Sequence, residues 1–181
     1  MRIDSPAAGA VTATAERIRG ADILAAVRRA GIATVVSVPD IVTSDGLLWP
    51  ISRDPSLAHV RVCKEDEGVS ICAGLACAGR RALLLIQHTG LLDSVNALRA
   101  IAVDYGTPIC MIVGLQGLEP DGEPPRSASL GVRVVEPLLD VLGIAHARLG
   151  ARGDEAAIEP AFDRAYRDWM PYAFIVTRPP V

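Results

Sequence analysis

The chain has 181 residues, half of them apolar, with a net charge of −3 and a pI near 5.6. That balance argues against a nucleic-acid partner, because nucleic-acid-binding domains carry a basic stripe. No uninterrupted apolar run reaches the ~18 residues that span a bilayer, so the mean hydropathy of +0.32 is assigned to a packed core plus an oligomer interface.

The length suits one domain, expected over residues 20–181, with an Ala/Thr/Ser-rich flexible extension over 1–19 that lacks the apolar stretch of a signal peptide. Cys63, Cys72, Cys77 and Cys110 form no CxxC pair. They read as reduced thiols of a cytoplasmic protein, and no metal ligand set is expected. Lys64 is the sole lysine among 18 basic residues, a bias assigned to base composition rather than mechanism.

In chain order, residues 20–30 predict a helix with Ile23, Leu24, Ala26 and Val27 on one face and Gly31 as its stop. The β-branched run 33–38 predicts a buried strand closed by Pro39-Asp40. Ser44 caps a short helix through Leu47, Leu48 and Ile51. Strands follow at 58–63, 82–87 and 109–114, and helices at 64–79 and 91–103. After an irregular Gly/Pro-rich segment at 116–129 come helices at 132–142 and 155–169, with short strands at 145–148 and 173–177. Strand and helix alternate with short connections. The expectation is α/β: a single three-layer Rossmann-like domain, its mostly parallel sheet covered by helices on both faces.

Two glycine patterns are set aside. Gly74–Arg81 imitates part of a phosphate-binding loop but lacks the Lys-Ser/Thr pair and precedes its strand instead of following it. Gly114-Leu115-Gln116-Gly117 follows a strand but has no glycine triplet and no helix behind it.

The informative stretch runs from 62 to 98. Glu65, Asp66 and Glu67 occupy one helical first turn, where acids complement the helix dipole. Only the residue at the helix start is expected to point over the sheet edge. The next strand ends in Gln87-His88-Thr89-Gly90, so both groups fall on the edge where open α/β folds bind ligands. His88 reads either as a satisfied loop histidine or as a functional one. Asp40 is either a capping acid or a site residue. Asn96, mid-helix, contacts either a loop or a ligand. His59 and His146 read as structural.

Lys64-Glu65-Asp66-Glu67-Gly68 through Ala73-Gly74 matches, in spacing, the His-Glu … Ala-Asp-Gly-Tyr region of thiamine-diphosphate enzymes. Val38-Pro39-Asp40 and Gln87-His88-Thr89-Gly90-Leu91-Leu92-Asp93, followed by Ser94-Val95-Asn96, resemble turns of the sulfopyruvate decarboxylase alpha subunit and the related phosphonopyruvate decarboxylase. Gly122-Glu123-Pro124 and residues 137–144 extend the likeness, which spans about 20–178. The resemblance implies a pyrimidine-binding domain in which Glu65 hydrogen-bonds the cofactor's pyrimidine ring and so promotes loss of the thiazolium C2 proton. It implies Gln87, Thr89 and Gly90 as further cofactor contacts, Asp40 and His88 as proton donors after carbon dioxide leaves, and Asp40, His88 and Asn96 as substrate contacts. The family's Gly-Asp-Gly … Asn-Asn element is absent from this chain. The diphosphate and its Mg2+ are therefore expected on a beta subunit, in a heterotetramer or larger assembly. His88-Thr89 replaces the family's Asn-Ser, Leu92-Asp93 its Gly-Asn, and Ile41 its Ser, so a less charged or bulkier 2-oxo acid is a further possibility. Alternatives are a carboligase of the acetolactate-synthase type and a non-catalytic Rossmann-like regulatory subunit.

Overall fold

A computed structural model describes residues 16–181. The first fifteen residues of the expected extension lie outside the described residues. Its last four belong to the packed body: Ile18 is fully buried, and its carbonyl accepts from the Val181 N–H at 3.0 Å.

The sheet is six-stranded and parallel, in the order β2-β1-β3-β4-β6-β5. Its strands are β1 (Thr34–Ser37), β2 (Ala58–Arg61), β3 (Ala82–Gln87), β4 (Cys110–Gly114), β5 (Ala145–Leu149) and β6 (Tyr172–Val176). The central strands β3 and β4 are almost continuously apolar because helices cover both of their faces. Alternate side chains feed two separate cores. One face packs Val35, Leu83, Leu85, Ile112 and Phe174 under α1 (Gly20–Arg29), α2 (Trp49–Ser52) and α8 (Ile158–Asp168). The other packs Val36, Leu84, Ile86, Met111 and Ile175. It lies under α3 (Glu65–Cys77), α4 (His88–Asp93), α5 (Val95–Ala97), α6 (Leu130–Arg133) and α7 (Val135–Leu142).

This three-layer α/β arrangement is the one the alternating pattern predicts. The helix expected at 91–103 differs in detail: it starts at His88, breaks at Ser94 and ends in a widened π-helical stretch, Leu98–Asp104. The helix expected at 132–142 likewise breaks at Val134. The small residues of α3 face its own sheet through Gly68, Cys72 and Ala76. A Cβ on Gly68 would stand 2.6 Å from Leu84, so this close approach requires glycine. No helix of the described residues is long and apolar enough to cross a membrane.

Candidate functional site

At the C-terminal edge of the sheet, the chain leaves β1 toward the α1/α2 face and leaves β3 toward the α3 face. Neighbouring strands with diverging connections open a crevice, the usual ligand position in such sheets. Four turns meet there, following β1, β2, β3 and β4.

Glu65, the first residue of α3, is half-buried, and its side chain lies directly on Gly90 at the end of β3. A Cβ on Gly90 would fall 2.2 Å from the carboxylate carbon. The three acids of this turn separate clearly. Glu67 Oε2 accepts from the backbone N–H groups of Cys63 (3.2 Å) and Lys64 (3.4 Å), closing the helix start. Asp66 Oδ1 accepts from the Glu67 N–H at 2.9 Å. The Glu65 carboxylate has no hydrogen-bond or ion-pair partner among the described residues. Lys64 reaches across to Asp93 (3.2 Å), an exposed pair that spans the two turns.

The turn after β3 is held by side-chain amides. Gln87 Nε2 donates to Thr89 Oγ1 (3.1 Å) and to Gln116 Oε1 (2.5 Å), tying the ends of β3 and β4 together. His88 is 4% exposed. Its Nδ1 accepts from the Gln116 N–H at 3.3 Å, and its Nε2 lies 3.0 Å from where a Cβ on Gly131 would sit. Burial pushes the imidazole below its ordinary range, outweighing the Gly114 carbonyl and the Asp40 carboxylate, which favour the charged form. The ring is therefore neutral.

Asp40 is also buried, and its carboxylate is taken up by its own turn. Oδ1 accepts from the N–H groups of Val42 (2.6 Å) and Thr43 (3.1 Å), and Oδ2 accepts from the Thr43 hydroxyl. This turn crosses to the end of β4, where a Cβ on Gly114 would meet Asp40 Oδ1 at 2.9 Å. Gly114 was set aside as part of an incomplete glycine motif. Its reason is this close approach.

The structure thus brings Glu65 to Gly90, and Gln87 and His88 to Gln116. Asn96 is exposed, and its Oδ1 accepts from the Arg99 guanidinium at 3.0 Å. The sequence does not mark Gln116 and Gly131 as site residues, because both fall in or beside the irregular stretch, where no periodicity distinguishes them. Cys63, two residues before Glu65, is exposed, as is Cys77, whereas Cys72 and Cys110 are buried.

No protein-family model matches the chain. It is 39% identical over 97 residues to the sulfopyruvate decarboxylase subunit alpha of Methanothermobacter thermautotrophicus, covering 54% of this chain and 58% of that one. Against the same subunit of Methanococcus maripaludis the identity is 33% over 92 residues, covering 51% and 54%. Against that of Methanocaldococcus jannaschii it is 30% over 119 residues, covering 66% and 69%. The match spans little more than half the length of the first two relatives and over two thirds of the third. With that last coverage, the chain belongs to the sulfopyruvate decarboxylase alpha-subunit family.

Proposed function

We propose that the chain is the alpha subunit of a two-chain, thiamine-diphosphate-dependent decarboxylase acting on a small 2-oxo acid of the sulfopyruvate or phosphonopyruvate class. The observation that carries this reading is the Glu65 carboxylate: half-buried, at the diverging edge of the sheet, and unpartnered while both neighbouring acids are bound to backbone. A carboxylate in that state is available to share a proton with a ring nitrogen. Gly90, with no side chain, leaves the space in which it does so. These residues fit the pyrimidine end of the cofactor. When bound, thiamine diphosphate would supply the carbon that attacks the 2-oxo group and the electron sink that accepts the pair released with carbon dioxide.

Within this scheme Gln87, Gln116 and Thr89 fix the floor of the crevice. Of the two candidates His88 is the one not taken up by its own loop, and as a neutral imidazole it would act by hydrogen-bond donation and not by giving up a proton. The Asp40 carboxylate, occupied by three donors of its own loop, holds that loop over Gly114 and contributes chiefly by positioning. The diphosphate and Mg2+ are assigned to a beta subunit, the partner that the relatives' subunit naming implies.

The test is C2 proton exchange of the cofactor in the reconstituted two-chain complex. Glu65→Gln keeps the size of the group and should slow exchange and turnover by about 10²–10⁴-fold, with assembly and thermal stability retained. Unchanged exchange would move the catalytic carboxylate elsewhere. The single chain alone should be inactive, and decarboxylation by it would refute the divided site.

A further inference from the structure

A second cavity, on the other side of the sheet edge from Glu65, has no part in the scheme above. It encloses about 340 Å³ between the edge strand β2 and the segment 44–52, and its lining includes Arg61, His59, Trp49, Leu48, Pro39 and Ser44. His59 and Arg61 alternate along β2 and so project on one face. That face is the α1/α2 side, because the His59 Nε2 stands 2.8 Å from Ser37 Oγ, on the same side as Val35.

The chemistry of the lining is specific. Arg61 has no ion-pair or hydrogen-bond partner among the described residues, so its guanidinium is uncommitted. His59 is committed through Nε2 only, which leaves Nδ1 for a ligand. Burial and the nearby Arg61 hold the ring below its ordinary range and hence neutral. The remaining wall is Trp49, half-exposed, with Leu48 and Pro39, interrupted by the serines Ser44 and Ser52. The Arg53 guanidinium lies 5.8 Å from the Trp49 ring centroid and adds positive potential at the rim. The volume falls at the lower end of the roughly 300–1,000 Å³ of small-molecule sites and suits a small ligand.

We propose that this cavity binds a small organic anion with one carboxylate- or phosphate-sized head and a flat apolar body. The head pairs with Arg61 beside His59, and the body lies against Trp49, Leu48 and Pro39. One uncommitted cation in the lining, Arg61, calls for one anionic head, and the indole wall calls for a planar body. The site does not depend on the reading of Glu65. It shares a chain segment with that crevice: Pro39 and Ser44 line the cavity, and they flank the Asp40 turn that lies against Gly114. The Ser44 hydroxyl donates to the Asp40 carbonyl.

The test uses the full chain carrying Trp169→Phe, which leaves Trp49 as the sole tryptophan. Phenyl phosphate and benzoate should each give a saturable change in Trp49 fluorescence, and inorganic phosphate a much weaker one. Arg61→Gln should weaken the aromatic anions by about tenfold or more with an unchanged melting temperature. Glu65→Gln should leave their binding as it was. The proposal is overturned by no saturable response to either aromatic anion, by equal affinity in Arg61→Gln, or by inorganic phosphate binding as tightly as phenyl phosphate. Loss of binding in Glu65→Gln would place the ligand in the other crevice and would also overturn it.

Discussion

The two faces of the sheet are finished differently. Under α1 and α8 the core is closed. Phe162 packs edge-on against Phe174 (5.5 Å) and Tyr172 (6.5 Å), and only Ala147 and Tyr166 of the hydrophobics packed on it are partly buried. On the α3 face, Ile71, Leu75, Ile101 and Val103 are among a larger set of partly buried apolar side chains, and Gly74 faces open space. Beneath α1 and α8 the first face is covered by its own chain, and the cavity beside Arg61 opens at its β2 edge. The second is apolar beyond what its own helices cover, as an association surface is, and it is the face from which Glu65 and α4 reach the crevice. Stability is thus concentrated on one side, and in the proposed scheme assembly and chemistry are concentrated on the other.

The largest effect should come from the sealed side. Phe162→Ala removes a fully buried ring and should cost about 3–5 kcal/mol, read as a lower urea midpoint of the isolated chain. Ile101→Ala, on the open side, should cost the isolated chain about 1 kcal/mol but abolish co-purification with the beta subunit. Equal destabilisation by the two, with the complex intact in both, would break the comparison.

A smaller effect concerns pH. His88 and His59 are both held neutral by burial in the folded chain. The unfolded chain takes up these protons first as pH falls through about 6.5. Their contribution is therefore present above that pH and is lost as pH falls toward the lower folded values. His88→Asn, which restores the amide expected from the family pattern, should flatten the acid limb of the stability curve by His88's share. A limb as steep as before would mean that His88 is not buried neutral. Smallest of all, Glu67→Gln should change stability by no more than about 0.5 kcal/mol, because glutamine still accepts from the helix-start N–H groups. Glu67→Ala should lose more, and equal melting temperatures in the two would remove Glu67 from the helix start.

The parallel three-layer fold was legible because buried strands announce themselves. The run 82–87 is a short apolar stretch between Arg80-Arg81 and the polar Gln87-His88, and is bounded correctly from residue types alone. The break at Ser94 was not. Residues 91–103 carry an unbroken helical pattern, and nothing in their residue types marks the interruption. The preference for Glu65 over its neighbours could be argued from its place at the helix start, and the bonding of Asp66 and Glu67 to backbone supports it. The engagement of Asp40 with Val42 and Thr43 is a turn geometry that its residue type permits but does not impose. The cavity by Arg61 was hidden for another reason. His59 looks structural until the connection from α2 folds back and brings Trp49 against its side of β2.

The unequal burial of the four thiols has a practical consequence. Cys72 has its thiol pushed up to about 12 by burial, and Cys110 is raised further for the same reason, so neither offers a thiolate at neutral pH. Cys63 stands exposed on the strand-to-helix turn that carries Glu65. With Cys77 replaced by serine, Cys63 becomes a single attachment point for a spin label or fluorophore beside the crevice. The protein thereby holds its own ruler for measuring how near a second subunit comes to the carboxylate.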